Sequence, residues 1–253
     1  MTYSFKKQYD TAFLYPASII KILTAIVARE WVLDSELDAT VTVTSADMHP
    51  PTTAGLQSGD VISWRDLFYG LMVPSGNDAS LTIGRIVGER ILASESAVAG
   101  TGLSRFIVAM NVKLAALGFN DAIAGSTHGV DVNTRLSALH VATLMRIAAS
   151  DAFLKTVMGT LSRNVTITGV NARTYTITHT INPVGSGNSP AIPEFVCGKS
   201  GSYVSSGIAS YSLAIIWKTP ANREICSVVI GSSTSDNRYI DIRKIIDFEL
   251  SKL

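Results

Sequence analysis

Residues 15–32 read YPASIIKILTAIVAREWV, and they decide how the rest of the chain is interpreted. Apart from Lys21 and the Arg29-Glu30 end, residues 18–32 are almost wholly apolar, and a helix that is apolar on all sides is a buried helix. Pro16 stands just ahead of this run, where the fixed φ of proline suits a helix entry. We therefore expect a core helix that carries one buried lysine, and a buried lysine requires a specific reason.

Ser18 precedes Lys21 by three residues, so both side chains lie on one face of the expected helix. A serine hydroxyl is a poor nucleophile until a neighbouring base takes its proton. Lysine can be that base when burial lowers its pKa. The spacing alone is weak evidence, because an arbitrary Ser-x-x-Lys is usually a solvated helix face and residues 4–7 (SFKK) match it as well.

Two further triplets follow in the order that serine enzymes with a Ser-x-x-Lys motif require: Ser75-Gly76-Asn77 and Lys199-Ser200-Gly201. The first lies between two predicted helices, and the second closes a predicted strand. A lysine beside a small hydroxyl and a glycine suits a substrate carboxylate, because glycine lets a ligand approach the backbone closely. Other Ser-x-Asn matches lie at 186–188, in a Pro/Gly-rich loop, and at 235–237, after Lys199.

Apolar periodicity predicts helices in the middle of the chain and strands near its end. Helices are expected at 18–32, 63–71, 77–91, 103–117, 137–149 and 237–253, and strands at 40–44, 165–168, 174–178, 194–199, 208–217 and 224–230. This pattern favours an α+β fold, an antiparallel sheet flanked by helices plus an all-helical lobe. We expect a single catalytic domain of two lobes, the sheet lobe at 1–32 and 161–253 and the mainly helical lobe at 33–160, with the site between them.

Composition excludes several classes of protein. With 47% hydrophobic and 16% charged residues, the chain is not disordered, coiled-coil or fibrous. A net charge of +1 gives no field that would gather nucleic acid or an anionic membrane. The four histidines and two cysteines form no metal-binding motif, so neither a metal nor another cofactor is expected. Pro16 and Lys21 interrupt the apolar stretch at 12–28, which argues against a membrane span or signal peptide.

Longer blocks around the triplets carry a family resemblance. They read YPASIIKILTA (15–25), GLQSGD (55–60), LMVPSGNDA (71–79), HGVD (128–131), GKSG (198–201) and, within 231–241, NRY (237–239). In this order, and over nearly the whole chain, they resemble the low-molecular-mass penicillin-binding proteins. These are the peptidase S11-like serine-type D-Ala-D-Ala carboxypeptidases of the penicillin-recognising serine enzyme superfamily. The resemblance implies a β-lactamase/transpeptidase-like fold.

The resemblance also implies an acyl-enzyme mechanism on peptidoglycan stem peptides that end in D-Ala-D-Ala. Ser18 is then the nucleophile, and Lys21 is its general base. Ser75 and Asn77 pass a proton to the leaving D-Ala and hold the substrate amide. β-Lactams, which mimic D-Ala-D-Ala, are expected to acylate Ser18.

The remaining site residues follow from the same resemblance. Lys199 and Ser200 bind the terminal carboxylate beside Gly201, and Arg238 is expected to assist them. The backbone N–H groups of Ser18 and Ser202 form the oxyanion hole, where each donor is worth about 3 kcal/mol. By the family's topology, the strands that carry the two cysteines are not neighbours, so no disulfide is expected.

Two alternatives stay beside the carboxypeptidase: a class A-like β-lactamase and a non-catalytic penicillin-binding or sensor relative. The β-lactamase would need a Glu-x-x-Leu-Asn loop between the second and third motifs. Glu89, Glu95 and Glu194 are the glutamates there, and none has that context. The substrate class implies export to the periplasm or cell wall, although no signal peptide is expected within this chain. Since only residues 1–17 precede Ser18, the chain is expected to be trimmed, to begin at a misplaced start, or to have a sheet that is one strand short.

Overall fold

The computed structural model describes residues 14–95, 99–205 and 207–252, so residues 1–13 of the expected sheet lobe, with the Ser-x-x-Lys at 4–7, lie outside the described residues. The helices are α1 (Lys21–Arg29), α2 (Trp64–Met72), α3 (Asn77–Ser94), α4 (Gly102–Ala116), α5 (Ala138–Ser150), α6 (Ala152–Gly159) and α7 (Ser235–Leu250). The strands are β1 (Thr40–Thr42), β2 (Val61–Ser63), β3 (Ser162–Thr168), β4 (Arg173–Thr178), β5 (Phe195–Ser205), β6 (Ile208–Lys218) and β7 (Glu224–Ser232). The α+β class is confirmed.

The strands form two antiparallel sheets among the described residues. One has the order β5-β6-β7, and the other has the order β1-β2-β3-β4. In β6, Leu213, Ile215 and Trp217 pack with α7, whereas the alternate residues Ala214 and Ile216 pack into the main core. This period of two is that of a strand buried on both faces. The β5-β6-β7 sheet therefore lies between α7 on one side and α5 and α6 on the other.

The hairpin of β3 and β4 has the predicted strands, but it does not belong to the β5-β6-β7 sheet. Val61 of β2 pairs with Thr168 of β3, so the hairpin extends the small sheet that begins with β1. The residues predicted for the sheet lobe therefore contribute strands to both sheets. Alternation predicts a strand and its inward face, but not which free edge accepts its hydrogen bonds. The division into two lobes stays a prediction.

α1 is the central helix of the molecule, and a 3-10 turn, Ala17–Ile20, leads into it. Its apolar residues from Ile22 to Ala28 are at most 6% exposed, and the helix packs against α2, α3, α4 and α5. Arg29 ends it, where the chain reaches the surface. Because α1 is apolar on every side, other helices pack against it on every side. Among the described residues, no helix has the length and apolar character needed to cross a membrane.

β5 is longer than the sequence predicts. It continues from Phe195 to Ser205, and Lys199 lies in its interior with Ala214 of β6 as its partner. The expectation that Lys199 closes the strand was therefore wrong. The residues after it, Ser200, Gly201 and Ser202, have low strand propensity, yet each pairs in register with β6. Pairing to an available neighbour overrides propensity here.

Candidate active site

Ser18 lies in the 3-10 turn that precedes α1, and two glycines allow other segments to approach this turn closely. A Cβ atom on Gly201 of β5 would lie 2.4 Å from the carbonyl oxygen of Pro16. A Cβ atom on Gly129, whose φ is +82°, would lie 2.1 Å from the carbonyl oxygen of Ala17. Both distances are far inside van der Waals contact. Only glycine at these positions lets β5 and the 126–131 loop enclose the serine.

Lys21 is fully buried at the start of α1. Its Nζ lies 2.9 Å from Ser18 Oγ, 2.8 Å from Asn77 Oδ1 and 3.1 Å from the carbonyl oxygen of His128. Burial lowers the pKa of Lys21 from 10.5 to about 7, against the smaller raising effect of the Asp78 carboxylate. The predicted pair is thus in hydrogen-bonding contact, and its amine is available as a base near neutral pH.

The turn between α2 and α3 presents the second triplet. Ser75 has a φ of +67°, which is rare for a residue with a side chain. Gly76 N–H donates to Gly70 O, and Asn77 N–H donates to Thr52 O, so both sides of the turn are held by main-chain hydrogen bonds. Asn77 Nδ2 is buried and has no hydrogen-bond partner in the described structure. An unsatisfied buried amide is costly unless a ligand completes it.

Lys199 joins the second and third triplets. Its Nζ donates to Ser75 Oγ at 2.8 Å and to the carbonyl oxygen of Ser200 at 2.8 Å. The side chain is fully buried, and this burial holds the pKa of Lys199 well below its usual value, with the charges of Lys21 and Arg238 acting in the same direction. An anion bound here would relieve both the burial penalty and the repulsion between the cations.

Arg238 is buried at the first turn of α7 and faces β5. Its Nη1 donates to Gly201 O at 3.2 Å and to Ser202 Oγ at 3.1 Å, while its Nε has no partner among the described residues. Burial lowers the pKa of this guanidinium. Two cations, Lys199 and Arg238, therefore reach the same segment of β5.

His128 contributes its main chain to the site. Its carbonyl oxygen accepts from Lys21, and its Nδ1 accepts from Val130 N–H at 3.0 Å. Burial, followed by the effects of His49 and Lys21, lowers the pKa of His128 to about 4. The ring is therefore neutral near pH 7, and the loop holds the carbonyl in place.

Two residues near the site lie outside the three sequence motifs. Asp78, next to Asn77, accepts hydrogen bonds from the backbone N–H groups of Ala54 and Leu56, and burial raises its pKa. Thr180 lies 2.7 Å from Ser200, oxygen to oxygen. Asp78 could have been suspected from its place in the 71–79 block, whereas nothing in the local sequence singles out Thr180.

Comparison with known proteins identifies the family. A family model described as D-alanyl-D-alanine carboxypeptidase matches residues 5–182, which is well over half of the chain. The chain belongs to this family. The resemblance inferred from the motifs is confirmed, and the chain is a serine peptidase. Lys199, Ser200 and Arg238 lie beyond the matched segment.

Curated relatives of this carboxypeptidase include two bacterial proteins. A D-alanyl-D-alanine carboxypeptidase of Streptomyces sp. strain K15 is 27% identical over 242 residues, which is 91% of this chain and 77% of the relative. A D-alanyl-D-alanine carboxypeptidase of Mycobacterium tuberculosis is 32% identical over 117 residues, which is 46% of this chain and 35% of the relative. The first alignment spans most of this chain.

The fold of this carboxypeptidase also matches a solved structure. The crystal structure of the Streptomyces K15 DD-transpeptidase superposes with a TM-score of 0.79 at 23% identity. The superposition covers 95% of this chain and 89% of the other. The predicted β-lactamase/transpeptidase-like architecture is therefore confirmed.

The glutamates between the second and third motifs of this carboxypeptidase lie in ion pairs. Glu89 pairs with Arg85, Glu95 with Arg105, and Glu194 with Arg243. No hydrogen bond or ion pair among the described residues joins any of the three to the triplets. Within the described part of the chain, none of these three glutamates is therefore placed to activate a deacylating water, as the β-lactamase alternative would require.

Proposed function

We propose that this carboxypeptidase removes the terminal D-Ala from peptides ending in D-Ala-D-Ala, with Ser18 as its nucleophile. One observation carries the proposal. A neutral lysine amine has two N–H donors and one lone pair. Asn77 Oδ1 and the His128 carbonyl oxygen can only accept, so they take both donors of Lys21. The lone pair is then left for Ser18 Oγ, 2.9 Å away.

The reaction follows from this arrangement. Lys21 takes the hydroxyl proton of Ser18 while Oγ attacks the carbonyl carbon of the penultimate D-Ala. The C–N bond then breaks, and the nitrogen of the leaving D-Ala receives a proton through Ser75. Water then gives a proton to Lys21 and attacks the resulting ester. The ester C–O bond breaks, Ser18 Oγ takes that proton back, and the shortened peptide leaves. Each proton that a nucleophile loses is passed to a leaving group, so charge is conserved. The reaction consumes only water and needs no cofactor.

The cationic end of the site binds the terminal carboxylate in this proposal. Lys199, fully buried, and Arg238 face the same segment of β5, and Ser200 supplies a hydroxyl beside them. A carboxylate desolvated between two cations gains charge-assisted hydrogen bonds. Nδ2 of Asn77, which has no partner among the described residues, donates to the substrate peptide, and the N–H groups of Ser18 and Ser202 bind the oxyanion.

The natural substrates are then peptidoglycan stem peptides, and β-lactams are acylating mimics of them. Peptidoglycan lies outside the cytoplasmic membrane, so the enzyme acts in the periplasm or cell wall. This assignment of place rests on the substrate class of the family.

The test is the intact mass of the protein after brief exposure to benzylpenicillin. The wild type should gain one drug molecule, and Ser18→Ala should gain none. Ser35→Ala, which removes an exposed hydroxyl in another 3-10 turn, is the matched control and should acylate like the wild type. In parallel, the wild type should release D-Ala from a peptide that ends in D-Ala-D-Ala.

Other results would contradict specific parts of the proposal. An adduct that persists in Ser18→Ala would place the nucleophile elsewhere. Hydrolysed drug without an adduct would revive the β-lactamase alternative. Acylation without D-Ala release from any such peptide would leave a penicillin-binding protein without carboxypeptidase activity.

A further inference from the structure

The hydroxyl of Ser200 has one hydrogen-bond partner among the described residues, and that partner is Thr180. The two side-chain oxygens lie 2.7 Å apart. Ser200 is 4% exposed, whereas its carbonyl oxygen is already occupied by Lys199 Nζ. The direction in which the Ser200 hydroxyl points its proton therefore depends on Thr180.

The main chain of Thr180 is held on both sides. Its N–H donates to the carbonyl oxygen of Val73, two residues before Ser75, at 3.0 Å. Its own carbonyl oxygen accepts from the hydroxyl of Tyr239, the neighbour of Arg238, at 3.4 Å. Residues 179–182, which we call the connecting segment, thus contact the supports of both the second triplet and the arginine.

The residues on either side of Thr180 fix the connecting segment further. His179 N–H donates to Leu161 O at 2.8 Å, and its ring Nδ1 accepts from Ile181 N–H at 2.8 Å. Asn182 N–H donates to Tyr239 Oη at 3.2 Å. The threonine hydroxyl therefore stands on a backbone that hydrogen bonds hold on both sides, which is what precise positioning of a neighbouring group requires.

A hydroxyl has a single proton to donate and can accept two others. In the proposed function, Ser200 donates its proton to the substrate carboxylate. It must then accept, not donate, in its contact with Thr180. We propose that Thr180 is a positioning residue: it donates its hydroxyl proton to Ser200 Oγ and thereby directs the Ser200 proton toward the terminal carboxylate. This inference rests on the proposed function.

The test compares a peptide that ends in D-Ala-D-Ala with the same peptide bearing a C-terminal amide. Thr180→Val keeps the shape of the side chain and removes the donor. We expect kcat/KM for the free acid to fall about tenfold, as for one hydrogen bond to a charged group. The amide should change by less than about twofold. Thr180→Ser keeps the hydroxyl and should retain the wild-type preference for the acid.

Two controls separate this role from a general structural one. Thr178→Val changes an exposed threonine in β4, two residues away, and should leave both substrates unaffected. In a Ser200→Ala background, the further change Thr180→Val should alter kcat/KM for the acid by less than about twofold, because the group it directs is gone. If the valine variant does not fold, Thr180→Ala replaces it. The ratio of kcat/KM for the acid to kcat/KM for the amide should then fall as predicted for Thr180→Val.

Equal losses for acid and amide in Thr180→Val, or no loss for either, would overturn the inference. A wild type that releases no D-Ala from the free acid would instead sink the proposed function itself. If the wild type is active and Thr180→Val keeps the wild-type preference for the acid over the amide, the positioning role of Thr180 is wrong and the proposed function stands.

Discussion

Lys21 lies in surroundings that oppose its charge. It is fully buried, and Asp78 is the acid that acts on it among the described residues. Burial dominates over the effect of that acid, so the pKa of Lys21 falls to about 7. A base with this pKa is half deprotonated at neutral pH, where a solvent-exposed lysine would be almost wholly charged.

The acylation rate should therefore follow the titration of Lys21. Below about pH 7 the amine is protonated and cannot take the proton of Ser18, so the rate of acylation by benzylpenicillin should fall about tenfold per pH unit. Above that pH the rate should level off. Stopped-flow or quenched mass measurements from pH 5 to 9 would show the midpoint.

The histidines near the two lysines do not account for such a midpoint. Burial lowers the pKa values of His128 and His179 to about 4, so both stay neutral across that range. Lys21→Arg cannot give up its proton and should lose acylation at every pH. Lys113→Arg, in α4, should keep the wild-type dependence of the acylation rate on pH. A pH-independent rate in the wild type would remove Lys21 as the base.

At the residue scale, the sequence singled out the lysines and hydroxyl groups that the structure brings together, because such groups are unusual in an apolar helix or a strand. It did not predict their supporting contacts. The carbonyl oxygen of His128 acts through the backbone, which any residue could supply. Thr180 reaches Ser200 only because β4 ends beside β5, and this proximity is a property of tertiary structure.

At the element scale, strong periodic patterns gave correct elements. α1 and the β3-β4 hairpin lie where they were predicted, with ends that differ by a few residues. α6 was not predicted, because its eight residues follow α5 after one capping residue, Asp151. The extent of β5 and the sheet to which the hairpin belongs depend on pairing partners far along the chain, and local patterns do not contain that information.

The close approach of β5 to the 3-10 turn Ala17–Ile20, which we call the nucleophile turn after the proposed role of Ser18, gives a prediction at this scale. Gly201→Ala places a Cβ atom 2.4 Å from the carbonyl oxygen of Pro16, and the turn and strand must then separate. We expect about 1–3 kcal/mol of destabilisation. Acylation of Ser18 should slow about 100-fold, because the oxyanion donors no longer align.

Gly118→Ala is the control for this variant. Gly118 has a φ of +79° and open space around its Cβ position, so its substitution strains the backbone without moving the turn. It should lower the melting temperature and leave the acylation rate of the folded protein unchanged. Equal acylation rates in the two variants would show that the contact across Gly201 does not position the nucleophile.

For the whole molecule, the site is a cost to stability. The unfolded chain holds the Lys21 proton up to about pH 10, whereas the folded protein releases it near pH 7. Between these values the unfolded state binds one more proton, so the free energy of unfolding rises with pH by about 1.4 kcal/mol per unit from this residue. Below pH 7 the contribution is constant and unfavourable.

Lys21→Met should therefore be more stable than the wild type near pH 7, and its advantage should shrink as pH rises to 9. Urea unfolding at several pH values measures the difference. Lys244→Met, at a side chain that is 73% exposed, should show no such trend. Parallel curves for Lys21→Met and the wild type would contradict the lowered pKa.

The glycine contact between the nucleophile turn and β5 has one more consequence. In the described part of its sheet, β5 is an edge strand, and an uncovered edge is a template for strand addition by another chain. The turn that begins at Pro16 lies against this edge across Gly201. At Gly201 a foreign strand could pair only by displacing this turn, which also carries Ser18. Strand addition at that point of the edge and an intact arrangement of Ser18 and Lys21 therefore exclude each other.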